Sequence, residues 1–229
     1  MPPSLTGLLI VLTWVTGLIE AVSLLALGPV FTAMQTGNVL FLAFGLAGAA
    51  NLPALSSALS LAAFAVGVVC GARMESATEA WGWRWVECGL SAEAVLILAA
   101  AAVGWDVAPR FGHPAPAHLL VTGLLATAMG IRTVTSMRLN VPGVPTTLVT
   151  RSMTALIGSS ALGHDSAFGY GTGAWLRRAL AVLAMFTGGL TGALLVRDGW
   201  TVGGLLLPAA AVVAAVAVVH RLLPRAHTG

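Results

Sequence analysis

Charged side chains are scarce in this sequence. They make up 8% of its 229 residues, whereas an ordinary soluble domain carries about 25%. A surface that faces water cannot be built from so few charges, so the composition excludes a soluble domain over most of the chain. Hydrophobic residues account for 58% of the chain, and its mean hydropathy is +0.93. We therefore expect lipid to be the solvent for most of the exterior.

Lysine is absent, and all eleven basic residues are arginines. These are scattered between apolar runs, so the net charge of +3 does not indicate a nucleic-acid-binding surface. The two cysteines, Cys70 and Cys88, have no metal-ligand spacing, and the five histidines form no His-x-x-x-His pair. Phosphate-binding and dinucleotide-binding glycine motifs are also missing. The sequence thus predicts no metal, no cofactor, no catalytic residue and no nucleic-acid partner.

Eight apolar stretches dominate the chain. They cover residues 5–27, 39–50, 53–71, 86–104, 117–137, 153–162, 179–196 and 203–222. A helix needs roughly 20 apolar residues to cross a bilayer core of about 30 Å, and six of the stretches are close to that length. The stretches 39–50 and 153–162 have 12 and 10 residues, which as helix would span only about 18 and 15 Å.

The polar segments before the two short stretches resemble each other. The first runs from Gly17-Leu-Ile-Glu20 to Thr36-Gly37-Asn38, and the second from Gly130-Ile-Arg132 to Thr150-Arg151-Ser152. Thr36 and Thr150 are 114 residues apart, close to half the chain. This spacing predicts an internal duplication within a single membrane domain, residues 1–229. Residues 1–104 would form the first repeat and residues 116–222 the second, with residues 105–115 as the linker.

The arginines distinguish between two topologies. If all eight stretches span, five arginines fall on one side and four on the other, which is no bias. If only the six long stretches span, seven fall on one side and two on the other, as the positive-inside rule requires. The seven are Arg73, Arg84, Arg138, Arg177, Arg178, Arg221 and Arg225. We therefore predict an all-α integral membrane protein with six transmembrane helices, two broken, re-entrant half-helices and both termini in the cytoplasm. Three spans per half would make the halves an inverted repeat.

Several motifs carry a resemblance to a known family. They are the Gly-x-x-Glu-Ala pattern at Gly17–Ala21, Phe31-x-x-x-x-Thr36-Gly37-Asn38, Met129-Gly130, and Val141-Pro142-Gly143-Val144-Pro145-Thr146-Thr147 followed by Thr150. With them, essentially the whole chain resembles the YoaK-like family of bacterial membrane proteins (domain of unknown function 1275). The resemblance implies six spans, a bacterial plasma (inner) membrane and no established substrate. Glu20 stands where the family usually has Asp, Arg151 where a Gly is usual, and Arg132-Thr133 where Gln-Asn is commoner.

Glu20 is the first candidate for a functional side chain. A charge within a membrane helix costs about 2.5–3.5 kcal/mol on insertion scales, so the Glu20 carboxylate should face the protein interior or water. It could be a proton- or cation-linked carboxylate of a transport site, or a structural partner of Arg132 or Arg151. Both interpretations stay open at the level of sequence.

The starts of the two short helices are the second candidate. Backbone N–H groups and the positive dipole end attract anions at a helix N-terminus, although Asn38 and Ser152 could simply be caps. Arg151 would add positive charge there, which predicts an anionic ligand or an Arg151–Glu20 pair. The neutral side chains could contact a ligand or satisfy freed backbone groups. The predicted substrate-binding residues are Glu20, Gln35, Thr36, Gly37, Asn38, Arg132, Thr146, Thr147, Thr150, Arg151 and Ser152.

Three classes of function fit these features. The first is a secondary transporter or channel for a small, anionic or other, solute that binds where the two broken helices meet. The second is an accessory or sensor membrane protein without transport. The third, a lipid-modifying enzyme, would need a clustered acid, base or metal set, so we expect no enzyme. The expected partners are the lipid bilayer and a small-molecule or ion substrate, and the sequence leaves a homo-oligomer open.

Overall fold

A computed structural model describes residues 3–48, 52, 54–82, 84–109, 114–139, 149–160 and 173–222. Within these ranges every regular element is helical. The helices are α1 (Pro3–Val22), α2 (Gln35–Leu46), α3 (Ala54–Ala80), α4 (Trp85–Val103), α5 (Pro116–Leu139), α6 (Val149–Gly158), α7 (Ala174–Arg197) and α8 (Val202–Leu222). A π-helical turn, Ser23–Leu27, extends α1.

Six of these helices are long and apolar enough to cross a membrane. They are α1 with its π-helical turn, α3, α4, α5, α7 and α8. The prediction of an all-α protein with six spans is thereby confirmed. The description of α2 and α6 as re-entrant half-helices stays a prediction, as do the inverted repeat and its boundaries.

The two short helices begin earlier than the apolar stretches suggested. Helix α2 starts at Gln35 rather than at residue 39, and α6 starts at Val149 rather than at residue 153. The polar triplets 36–38 and 150–152 therefore lie in the first turns of these helices, not before them. Hydropathy placed the boundaries too late because polar side chains interrupt an apolar run without ending a helix, and the free N–H groups of a first turn tolerate them.

The end of the first span is set by Gly28 and Pro29. Gly28 has a φ of 123°, a conformation that a residue with a Cβ rarely adopts. It also precedes a proline, and this disfavours the helical region. Residues 28–34 consequently lie outside any helix, and their backbone groups need partners other than those of a helical ladder.

The largest interhelical contacts pair α1 with α7, α3 with α5, and α4 with α8. Helices α1, α4, α5 and α8 supply most of the buried apolar core, while α2 packs on α3 and α6 packs on α7. If the first four helices are matched in order with the last four, α1 corresponds to α5 and α3 corresponds to α7. The α1–α7 contact is then the counterpart of the α5–α3 contact. The packing of the two halves therefore corresponds helix by helix.

Candidate functional site

Glu20 lies inside the bundle and contacts the non-helical segment 28–34. Its side chain is 5% exposed. Oε1 accepts hydrogen bonds from the Thr32 N–H at 3.0 Å, the Thr32 hydroxyl at 2.9 Å and the Ala33 N–H at 2.5 Å. Two N–H groups that no helix can satisfy are thus paired with a carboxylate, and such bonds are stronger than those between neutral groups. Among the described residues, Oε2 of Glu20 has no hydrogen-bond partner.

A second set of polar contacts holds Phe31, in the same segment. The Asn38 Oδ1 accepts from the Phe31 N–H at 3.0 Å, and the Asn38 Nδ2 donates to the Phe31 carbonyl at 2.7 Å. The Ser60 hydroxyl of α3 donates to the same carbonyl at 2.6 Å. Gln35 donates from Nε2 to the Thr32 carbonyl at 2.8 Å. Three predicted site residues, Glu20, Gln35 and Asn38, therefore come together around the interruption, and each satisfies freed backbone groups.

The other predicted residues of the first half are placed differently. The Thr36 side chain is exposed, so it lies away from the contacts made by Glu20 and Asn38. Gly37 lies under the Phe31 ring, where an added Cβ would come within 2.7 Å of Cδ2. Gly37 thus provides space for the ring rather than a ligand contact.

In the second half, the described residues of the predicted site belong to α6. Thr150 and Arg151 are exposed, and Ser152 is buried. Thr146 and Thr147 lie outside the described residues. Within the described ranges, Glu20 bonds to the interrupted segment, including Thr32 and Ala33, and the predicted Arg151–Glu20 pair is not formed in this structure.

Arg132 pairs with a carboxylate that the sequence did not assign to it. Its side chain is 1% exposed, and that of Glu93 on α4 is 0% exposed. The Arg132 Nε lies 2.8 Å from both carboxylate oxygens of Glu93, and Nη2 also donates to Oε1. Nη1 donates to the Leu12 carbonyl at 2.6 Å and to the Thr16 hydroxyl at 3.1 Å. Arg132 therefore joins α5, α4 and α1 in the core, and a structural role for it is supported.

Polar side chains continue along the buried face of α1. Thr13, Thr16, Glu20 and Ser23 are all 5% exposed or less, and their spacing of three or four residues places them on one side of the helix. Ser23 donates to the Val30 carbonyl at 2.6 Å. This face connects the Arg132–Glu93 pair, which contacts Thr16, with the interruption, which contacts Glu20 one turn further along.

Glu75 is a third buried carboxylate. Glu75 and Glu79 lie between the apolar stretches 53–71 and 86–104, where hydropathy alone favours a solvated loop, but Glu75 is buried. Both residues lie on α3, and the Glu75 side chain is 0% exposed while that of Glu79 is 59% exposed. Glu75 Oε1 accepts a hydrogen bond from the Thr135 hydroxyl, and Oε2 lies 3.7 Å from Nε of Arg138.

Arg138 links Glu75 to the surface of the bundle. Its guanidinium pairs with Glu79 and lies over the ring of Trp85, 4.7 Å from the ring centroid. The α3–α5 contact buries Glu75 because Gly67, Gly71 and Gly130 let the two backbones approach closely. A count of residue types could not reveal this crossing.

The arrangement can hold a proton or a cation more readily than an anion at the first interruption. The donors that would attract an anion there already face the Glu20 carboxylate, and Oε2 is the group left without a partner. The described residues contain no group of three or more His, Cys, Asp or Glu that could hold a metal ion.

Sequence reasoning missed the roles of Thr16, Glu75 and Glu93. For Glu93 the signal was an ionisable residue inside an apolar run.

Comparison with known proteins assigns the family. A family model described as "Protein of unknown function (DUF1275)" matches residues 8–219. The chain is 27% identical over 151 residues to the UPF0700 transmembrane protein YoaK of Bacillus subtilis (strain 168), which covers 66% of this chain and 64% of that protein. The match thus spans less than two thirds of the relative. No solved structure matches the chain. The predicted resemblance is confirmed: the chain belongs to the DUF1275 family, and it is a multi-pass membrane protein.

Proposed function

We propose that this protein is a secondary transporter or channel for a small solute. The observation that carries the proposal is the environment of Glu20, a carboxyl group 5% exposed within the first span. One of its oxygens accepts three hydrogen bonds from the interrupted segment, and the other has no partner among the described residues. Ionisable residues inside membrane helices are costly and mark ion or substrate pathways.

The depth of the interruption supports a re-entrant segment. Glu20 precedes Leu27, the last residue of the π-helical turn, by seven positions, which is about 10 Å along a helix. Thr32 and Ala33 bond to Glu20, so the chain turns back to that depth before α2 begins. In transporters, broken helices of this kind surround the substrate within the bilayer.

The correspondence of helix contacts supports an inverted repeat. Gly17 of α1 lies against the α7 backbone at Met185 and Gly189, and Gly130 of α5 lies against the α3 backbone at Phe64 and Gly67. The two crossings are counterparts when the halves are exchanged. Two such halves of opposite orientation can rock against each other around a site between them.

The charges near Glu20 bear on the solute. Since the carboxylate already occupies the donors before α2, a proton or a positively charged group is favoured at this position. An anionic solute would instead have to bind in the second half, where Arg151 lies in the first turn of α6. The chain thus offers positions of opposite charge preference in its two halves.

Arginines gathered at one end of the bundle support a plasma-membrane orientation with both termini in the cytoplasm. Arg84 at the start of α4 donates to the carbonyls of His220 and Arg221 at the end of α8. Arg138 at the end of α5 lies over Trp85, in the same region. Arg197, at the end of α7, belongs to the opposite end in a six-span topology. This grouping agrees with the positive-inside rule.

The test is solute uptake into proteoliposomes. The purified protein would be reconstituted and supplied in turn with radiolabelled acetate, phosphate, glutamate, glycine and methylammonium. We expect one of these to enter faster than into protein-free liposomes. Glu20→Gln should slow that entry by at least about tenfold, equivalent to about 1.4 kcal/mol, whereas Asp198→Asn, an exposed carboxylate on another helix end, should leave it unchanged. No uptake across the panel, or equal rates for Glu20→Gln and the unaltered protein, would contradict the proposal.

A further inference from the structure

We propose that Glu75, Glu93 and Glu20 form a proton pathway through the bundle, from the end that carries Glu79 to the interrupted segment. The inference deepens the proposed function, because it names the driving ion, and it rests on that function only for the coupling to a solute. Three carboxyl groups, each 5% exposed or less, lie within six spans of one small protein. Chains of such groups relay protons in membrane pumps and transporters.

The pathway begins at Glu79, whose side chain is 59% exposed. Arg138 contacts both Glu79 and Glu75 and lies between them. Glu75 is fully buried, and its Oε2 has no hydrogen-bond partner among the described residues. A proton from the aqueous face can therefore be accepted at Oε2, while Oε1 is held by the Thr135 hydroxyl.

The second step leads from Glu75 to Glu93. Gly89, one helical turn before Glu93 on α4, lies directly against the Glu75 carboxylate and the Thr135 hydroxyl, where a Cβ would not fit. Thr135 is likewise one turn from Arg132, the ion-pair partner of Glu93. Thr135 and Arg132 therefore place the Glu75 and Glu93 carboxylates at neighbouring turns of α5, and the proposed transfer crosses the interval between these turns.

The third step leads from Glu93 to Glu20. Thr16 accepts a hydrogen bond from Arg132 and lies one turn from Glu20 on the same face of α1. Glu20 Oε2, which like Glu75 Oε2 has no hydrogen-bond partner in the described part of the chain, is the acceptor. At each transfer one carboxylate takes up the proton and the previous one becomes negative again, while Arg132 and Arg138 keep their charges. The net result is one proton moved along the bundle.

Proton flux into proteoliposomes tests the pathway. Vesicles would be loaded with a pH-sensitive dye and potassium, and valinomycin would set an inside-negative potential. We expect faster acidification than in protein-free vesicles, and at least about a tenfold loss of the added rate in Glu75→Gln and in Glu20→Gln. Asp198→Asn should conduct like the unaltered protein. A single Glu93 variant could misfold, because Arg132 would be left without its partner. The third variant therefore combines Glu93→Gln with Arg132→Gln, which removes both charges. It is used once its elution from a sizing column is normal.

The outcomes separate this inference from the proposed function. Acidification no faster than in empty vesicles, or full flux in Glu75→Gln and Glu20→Gln, would overturn the pathway. Solute exchange at equal pH on both sides would still report on transport. Proton flux without uptake of any panel solute would support the pathway and reject the solute transporter. The Glu75→Gln variant distinguishes the proton pathway from the solute transporter, because Glu75 is remote from the interruption. This variant should lose proton flux and retain solute exchange.

Discussion

Arg132 requires a partner wherever the protein folds around it. A guanidinium stays protonated in proteins, and this one is 1% exposed within the core, so the compensating charge has to come from a neighbouring side chain. Glu93 supplies it with two contacts of 2.8 Å to Nε. Removing one member of a buried pair costs more than the pair contributes, because the remaining charge is left in a medium that cannot solvate it.

Replacement of Glu93 by alanine should therefore destabilise the protein by about 3–5 kcal/mol. Unfolding in detergent micelles with increasing sodium dodecyl sulfate measures the change. Glu79→Ala is the matched control, because its partner Arg138 is accessible to solvent and exposed pairs contribute about 1 kcal/mol or less. The double variant Glu93→Leu with Arg132→Met should recover most of the loss. Equal stability of Glu93→Ala and Glu79→Ala would show that the buried pair is not intact.

At the scale of the helices, close crossings explain how carboxylates become buried. Gly188 of α7 faces the Trp14 carbonyl of α1, and Gly67 of α3 faces the Thr127 carbonyl of α5. Neither site has room for a Cβ. Between membrane helices, which gain little from the hydrophobic effect, such van der Waals contact is a main source of association.

Gly188→Ala and Gly67→Ala should each destabilise the protein by about 1–3 kcal/mol, the cost of overpacking a core. Gly123→Ala is the control in α5, because nothing lies within 4 Å of its added Cβ. The gain in helix propensity there should make Gly123→Ala neutral or slightly stabilising. Thermal unfolding in the same detergent compares the three variants. Comparable losses at Gly123 and Gly188 would mean that the α1–α7 crossing is looser than described.

At the scale of the whole molecule, the six-span topology fixes which ends of helices share a side of the membrane. The α3–α4 connection, the end of α5 and the end of α8 meet through Arg84, Arg138 and Trp85. The connection between α7 and α8, with Asp198 and its neighbour Arg197, lies at the other end. We propose that the first end is cytoplasmic.

Cysteine labelling tests this orientation. In a background with Cys70→Ala and Cys88→Ala, Asp198→Cys should react with a membrane-impermeant maleimide in intact spheroplasts. Glu79→Cys should react only after the membrane is permeabilised, because its side chain is exposed at the cytoplasmic end. The reverse pattern would invert the orientation. Labelling of both cysteines from outside would contradict a six-span topology.

Part of the candidate site was predictable and part was not. The sequence drew attention to Glu20, Gln35 and Asn38 because polar residues flank a Gly-Pro break inside an apolar chain, and all three bond to residues 31–33 of the interrupted segment. The sequence did not show which carboxylate pairs with Arg132, because hydropathy does not distinguish among the several carboxylates in or near the apolar stretches. The burial of Glu75 could not be predicted from hydropathy, because α3 extends beyond the apolar stretch 53–71 and packs on α5 there.

What the sequence determined by itself was the solvent and the number of crossings. Few charges and long apolar runs both follow from the cost of exposing polar groups to lipid, a property that each segment has on its own. Only the tertiary structure decided which buried charges pair, because helices that are distant in sequence cross where glycines allow contact. The line of Glu75, Glu93 and Glu20 arises from α1, α3, α4 and α5 together, so no single segment contains the information that specifies it.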